Sequence, residues 1–86
     1  MALRIEKVSD GRLAILRLSG RLQSEQLQEL RACMKGITES VMLDLDEVKL
    51  VDRDAVRFLA ACEAEGVQLS QCSPYIREWI NREKAS

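Results

Sequence analysis

The succession of apolar patterns along the chain predicts an α/β fold, a mixed four-stranded sheet with three helices packed on it in the order ββαβαβα. Short runs that alternate apolar and polar residues are typical of strands, and longer runs with apolar residues every three or four positions are typical of helices. Strand–helix–strand connections join parallel strands, so part of the sheet should be parallel. With 86 residues, residues 1–86 are predicted to form a single small domain.

The first half of the chain predicts a hairpin and a helix. Strands are expected at residues 3–8 and 13–18, because Asp10-Gly11 between two alternating runs is typical of a tight turn. Ser24 is a candidate N-cap for the helix that follows, and Gly36 lies near its end. The apolar positions at helical spacing are Leu27, Leu30, Met34 and Ile37.

The second half predicts two further strand–helix units. A strand at residues 41–45 runs through a connection into Leu50-Val51, and a helix is expected from Asp52 to Glu65, where Gly66 stops it. Residues 67–72 alternate weakly and predict the last strand. Ser73-Pro74 is a typical helix start, with an N-cap followed by proline. Three residues of this last helix share a stripe, namely Ile76, Trp79 and Ile80.

Composition excludes several classes of partner. Thirteen basic and fourteen acidic residues give a net charge of −1, so no overall field attracts nucleic acid or an anionic membrane. No apolar run approaches the roughly 20 residues of a membrane span, and the N-terminus alternates like a strand instead of resembling a signal peptide. A cytoplasmic protein is expected, with Cys33, Cys62 and Cys72 as reduced packing residues.

Catalytic arrangements are missing from the sequence. It contains no histidine, no glycine-rich phosphate loop, and no serine or cysteine paired with a base. Asp44-Leu45-Asp46 resembles the D-x-D of haloacid dehalogenase-type phosphatases, but the rest of that site is absent. These carboxylates, with Asp52 or Asp54, could bind Mg²⁺, although nothing supplies the remaining ligands. We therefore expect no enzyme, no cofactor and no metal site.

The acidic turn at Asp52-Arg53-Asp54-Ala55 is the main candidate for function. Asp52 follows an apolar pair and precedes a helical run, which is typical of an N-cap. Asp54 lies in the first turn of the helix. A negative charge there interacts favourably with the helix dipole and stabilises the helix by about 0.3–1 kcal/mol. Neither role requires a function, but both residues are also candidates for contact with a partner.

Three further residues, Arg53, Arg57 and Trp79, have either a structural role or a role in contact with a partner. Arg53 and Arg57 are four residues apart, so they share one helix face beside Asp54 and form either a solvated face or a contact patch of mixed charge. An i,i+3 pair between Asp54 and Arg57 would contribute only a few tenths of a kcal/mol. Trp79 is expected either to pack on the core or to anchor a partner or a second copy, because aromatic residues are enriched at interfaces.

These segments together resemble the STAS domain, the fold of bacterial anti-sigma factor antagonists. Its members carry D-L-S-x-V-x-x-[IV]-D-S-S-G-L and are phosphorylated on the second serine of that motif. Asp44-Leu45-Asp46-Glu47-Val48 matches the first part, and Val51-Asp52 matches the [IV]-D. Arg53 and Asp54 replace the two serines, and Ala55 replaces the glycine. Gly20-Arg21-Leu22 is similar to the family's G-E-L-D, and Ser73-Pro74 to the start of its third helix. The sequence ends before the last strand and helix of many members.

The resemblance implies a regulatory module that binds proteins through the first turn of this helix. The implied partner is an anti-sigma factor that is also an ATP-binding kinase, with Asp54 as a permanent charge where a phosphoserine would stand. The first alternative is a STAS-type structural subunit that binds the ATPase of a lipid transport system. The second is a scaffold domain that associates with itself, and a homodimer would hide an edge or face left uncovered.

Overall fold

The computed structural model describes residues 3–85, which form four strands and three helices in the predicted order ββαβαβα. The strands are β1 (Leu3–Ser9), β2 (Leu13–Leu22), β3 (Ser40–Val51) and β4 (Gln68–Ser70). The helices are α1 (Ser24–Lys35), α2 (Arg53–Ala64) and α3 (Pro74–Ala85). The predicted fold class is confirmed.

The sheet is mixed and has the order β1-β2-β3-β4. The hairpin makes β1 and β2 antiparallel, whereas β2 with β3 and β3 with β4 are parallel. Helix α1 connects β2 to β3, and α2 connects β3 to β4, so both connections move across the sheet in the same direction. Since connections between parallel strands are right-handed, α1 and α2 lie on the same face of the sheet. The starts of α1 and α2 therefore lie side by side at the carboxyl ends of β2 and β3.

Strand β3 is longer than the sequence pattern predicts. The prediction of a strand at 41–45 followed by a connection is wrong, because pairing with β2 continues to Val51. The register shifts between Arg17 and Ser19 and again between Gly20 and Arg21. These bulges break the alternation of period two, so the buried residues of β3 are 43, 45, 48 and 51. Gly20, with φ of 100°, adopts there a backbone conformation that favours glycine.

The hydrophobic core lies between the sheet and the helices. Leu16 and Leu18 of β2, together with Leu43 and Leu45 of β3, face it. The helices contribute Leu27, Leu30, Ala55, Val56, Leu59, Ile76 and Ile80. Burial of a leucine or isoleucine side chain contributes about 1.5–3 kcal/mol, so this face of the sheet determines how the helices are placed.

The opposite face of the sheet carries a cross-strand row of alternating charges. Glu6 of β1 is paired with Arg17 of β2, which is in turn paired with Asp44 of β3. The nearest N–O distances are 3.7 Å from Arg17 to Glu6 and 3.8 Å from Arg17 to Asp44. Directly opposed charges of this kind contribute roughly 0.2–1 kcal/mol each. The next row on this face is apolar, with Val8 opposite Ile15 and Ile15 opposite Met42, so the face is mixed in character.

The ends of the elements partly follow the predicted signals. Ser73 caps α3, since its Oγ accepts a hydrogen bond from the Ile76 backbone N–H at 3.3 Å. The prediction that Ser24 is an N-cap is wrong, because Gln23 precedes the helix and Ser24 is its first residue. Strand β4 is only three residues long and is followed by Gln71 at φ 57°, so the predicted strand at 67–72 is too long.

Cys33 does not have the packing role expected for all three cysteines, because it is exposed. Cys62 is buried in α2, and burial raises the pKa of its thiol to about 11. Cys72 is partly buried and contacts the edge of the core. All three are free thiols.

An ion-pair network joins α2 to α3. Arg77 donates two hydrogen bonds of 2.9 Å to the Glu63 carboxylate, and Lys84 donates a further one. These hydrogen bonds lower the pKa of Glu63 from 4.5 to about 2. Because the bidentate geometry fixes both helices, this network holds α3 against α2.

We expect the network to make the free energy of unfolding depend on pH in acid. Above pH 4.5 the carboxylate is ionised in both states and its stabilisation is complete. As the pH falls from 4.5 to about 2, the unfolded chain binds a proton before the folded one, and stability is lost. Since the Glu63 side chain is 26% exposed, screening reduces the loss to about 1–2 kcal/mol.

Urea unfolding over this pH range measures the effect. Glu63→Gln should show a correspondingly smaller loss, whereas Glu29→Gln, at an exposed position of α1, should keep the wild-type slope. Equal slopes for wild type and Glu63→Gln would contradict the assignment.

Candidate protein-contact site

The turn between β3 and α2 is organised by the carboxylate of Asp52. One oxygen accepts the Ala55 backbone N–H at 2.9 Å and so caps α2. The other oxygen accepts the Ser24 backbone N–H, the first of α1, at 2.8 Å. The predicted N-cap role is confirmed, and the structure adds a second helix to it.

One negative charge thus lies at two helix starts. Helix N-termini carry unpaired N–H groups and a partial positive charge, and parallel strands bring the two starts together. Partial burial opposes ionisation of Asp52, but the hydrogen bonds from Ser24 and Ala55 outweigh it and lower its pKa below 3.8. Because Asp52 occupies the position where such helix starts bind phosphate, a bound anion would compete with this carboxylate.

Asp54 lies two residues beyond the cap and is exposed. Within residues 3–85 its side chain forms no hydrogen bond or ion pair. The i,i+3 pair with Arg57 is therefore not formed, and Arg57 pairs with Glu83 instead. Asp54 borders a groove between α1 and α2, with Arg31 and Phe58 further along it.

Arg53 and Arg57 are directed towards α3 instead. Glu83 accepts a hydrogen bond from Arg57 Nε at 3.1 Å and lies 4.0 Å from Arg53 Nε. The Glu83 side chain is largely buried, whereas both arginines are more than half exposed. Glu83 thus holds the two cations beside each other and leaves the charge of Asp54 unpaired.

Ala55 does not belong to the contact surface. Its side chain is 0% exposed and packs in the core. The methyl group of Ala55 therefore fills the interior beneath the turn. The outer surface is formed by Arg53, Asp54 and Arg57.

Trp79 is partly buried against the core, as one of its two interpretations predicted. Its ring meets that of Tyr75 edge-on, with the centroids 5.8 Å apart. Tyr75 is 67% exposed. Trp79 shares a shallow depression with Glu83, so an aromatic pair lies on α3 next to the residue that holds the two arginines.

The sequence gives no local signal for three contributors to this region. Glu83 is far from the arginines along the chain, and Ser24 contributes only its backbone. Arg31 of α1 lies over the ring of Phe58 of α2, 5.1 Å from its centroid, which links the two helices by a cation–π contact. Only the predicted parallel crossover could have suggested that Ser24 and Asp52 approach each other.

Within residues 3–85 no three Asp, Glu, Cys or His residues are arranged to hold a metal ion. Asp44 accepts a hydrogen bond from the Asp46 backbone N–H at 3.0 Å and faces Arg17, so these carboxylates do not converge with Asp52 and Asp54. None of the described helices has the length and apolar character needed to span a membrane.

Comparison with known proteins identifies the fold. A solved structure of an antisigma-factor antagonist STAS domain from Rhodobacter sphaeroides is similar to this chain, with a TM-score of 0.62 and 20% sequence identity. The match covers 81% of this chain and 87% of that chain. No family model and no curated protein matches the sequence. The chain thus has the STAS fold, as the sequence motif and the element order predict.

Removing the shared cap should destabilise the protein more than removing its exposed neighbour. We expect Asp52→Ala to lower the free energy of unfolding by about 2–3 kcal/mol, because two backbone N–H groups lose a charged acceptor. Asp54→Ala should cost at most about 1 kcal/mol, since it loses only the interaction with the helix dipole.

Urea unfolding of both variants at neutral pH measures the difference. The free energy of unfolding of Asp52→Asn should lie between those of wild type and Asp52→Ala, because the amide retains one acceptor oxygen. Equal losses for Asp52→Ala and Asp54→Ala would show that Asp52 does not hold the two helix starts.

Proposed function

We propose that this chain is a non-catalytic regulatory module that binds another protein through the start of α2. The observation that carries the proposal is the exposed, unpaired carboxylate of Asp54 on a turn fixed by Asp52. In the STAS motif this is the position of the phosphorylated serine. The residues proposed to meet the partner are Arg53, Asp54 and Arg57, with Trp79 as an anchor beside them.

Asp54 acts as a permanent negative charge. A carboxylate carries one charge and two oxygens, whereas a phosphate carries about 1.5–2 charges and three strong acceptor oxygens. It is a partial substitute for a phosphoserine. Since Glu83 pairs with Arg53 and Arg57, neither arginine forms an ion pair with Asp54. The negative charge therefore stays exposed on the contact surface, where it weakens partner binding as a phosphate would.

The proposed partner is an anti-sigma factor that is an ATP-binding kinase. A kinase cannot phosphorylate Asp54 as it would a serine, so the interaction is not switched in the ordinary way. The module is held in a state that resembles the phosphorylated form, in which binding to the kinase is weakened. We place it in the cytoplasm as a single domain without a cofactor.

The geometry favours recognition over catalysis. Asp52 is committed to two backbone N–H groups, and Arg53 and Arg57 to Glu83. Asp52 is therefore not free to act as a nucleophile or a base, and a guanidinium can take neither role, which leaves Asp54 as the one free carboxylate of the turn. The surface instead presents fixed charges beside an aromatic pair, which is typical of protein interfaces.

Affinity capture from an extract of the source organism tests the proposal. Tagged wild type, Asp54→Ser and Asp54→Asn are compared, with Glu29→Gln as a control for loss of an exposed carboxylate elsewhere. We expect an ATP-binding kinase or anti-sigma protein to be captured more strongly by Asp54→Ser than by wild type, because the serine removes the phosphate-like charge.

Two results would contradict it. Equal capture of the same protein by all four forms would show that Asp54 is not part of the contact. Equal capture of a transporter ATPase by wild type and Asp54→Ser would favour the structural-subunit alternative, in which Asp54 serves only the helix dipole.

A further inference from the structure

The two edges of the sheet differ in how open they are to a further strand. Strand β4 is three residues long and ends at Gln71 with positive φ, so it offers little to pair with. Strand β1 pairs with β2 over all seven residues without a bulge. It contains no proline, and it forms the other edge of the sheet. A regular edge strand presents unpaired N–H and C=O groups in a row and is a template for pairing.

The charges on β1 are arranged so that the strand complements itself. Arg4 and Glu6 lie on the face away from the helices, and Ile5 lies on the helix side between them. If a second β1 lies antiparallel with Ile5 opposite Ile5, then Arg4 faces Glu6 twice, once on each side of the symmetry axis. Opposite charges in such directly facing positions are stabilising.

We propose that β1 of one copy pairs antiparallel with β1 of a second copy of this chain, with Ile5 on the two-fold axis. The axis is perpendicular to the sheet, so the helices of both copies lie on one face of a continuous eight-stranded sheet. The same surface is used by both copies, as in most homodimers. This interface is separate from the start of α2 and does not depend on the function proposed there.

The existing charge row supports this register. In one chain the row runs from Asp44 through Arg17 to Glu6 and ends there at the edge. Pairing adds the partner's Arg4 after Glu6, so the signs continue to alternate. Within one chain Arg4 is 77% exposed and reaches Glu6 only at 3.9 Å along the same strand, which leaves its charge free to act across the interface.

The neighbouring symmetric registers are unfavourable. A shift of two residues places Arg4 opposite Arg4 in one direction and Glu6 opposite Glu6 in the other. Like charges directly opposite each other destabilise strand pairing. On the helix side, the chosen register places Ile5 against Ile5, and this covers the exposed part of a residue that already packs on the core.

Sedimentation of the purified chain over a wide dilution series tests the proposal, together with charge variants of β1. Wild type is expected to be a dimer at high concentration. Arg4→Glu and Glu6→Arg should each raise the dimer dissociation constant by about tenfold or more, because two attractive contacts become repulsive. Glu29→Arg, an exposed position on α1, should leave the dissociation constant unchanged.

The most decisive measurement is made on a mixture of the Arg4→Glu and Glu6→Arg variants. A chain with Arg4→Glu faces a chain with Glu6→Arg through two opposite-charge pairs, so the mixture should associate with an affinity close to that of wild type. Circular dichroism confirms that each variant is folded. The proposal is overturned if wild type stays monomeric at millimolar concentration. That result is expected if β1 pairs with a strand of another protein instead of with a second copy. A mixture that fails to associate also overturns the proposal.

Discussion

The carboxylate of Asp52 is the constraint on which the geometry of the candidate contact surface depends. It joins the first turns of α1 and α2, which belong to separate crossovers and have no covalent link near this point. The parallel sheet brings two partially positive helix ends to one edge, and a single acceptor satisfies an N–H group of each. Because the turn is held from both sides, the next two residues project outward from a fixed backbone.

That arrangement divides the turn into an inner and an outer part. Asp52 and Ala55 face inward, where one forms hydrogen bonds and the other fills the core. Arg53 and Asp54 face outward, where Glu83 holds the arginine near α3 and leaves the aspartate unpaired. A phosphorylatable serine would make the charge at this position conditional. Aspartate makes it permanent.

Local signals account for much of the fold. Asp10-Gly11 and Ser73-Pro74 mark turns and caps through their own backbone chemistry, so the sequence predicts them. The continuity of β3 could not be predicted, because two bulges replace the alternation by spacings of three residues. The contact that holds the start of α1 also could not be predicted, because the Ser24 backbone N–H donates to the carboxylate of Asp52, 28 residues away. The pairing of Glu83 with Arg53 and Arg57 likewise depends on how α3 packs on α2, and Cys33 is exposed although its spacing resembles that of core positions.

The most direct test of this account is an NMR titration that follows the amide protons of Ser24 and Ala55 as the pH is lowered. If Asp52 binds both, the two amides should shift together with one common midpoint below the ordinary aspartate value of 3.8. Asp52→Asn should abolish both transitions. Separate midpoints for the two amides, or transitions that persist in the variant, would contradict the claim that one carboxylate fixes both helix starts.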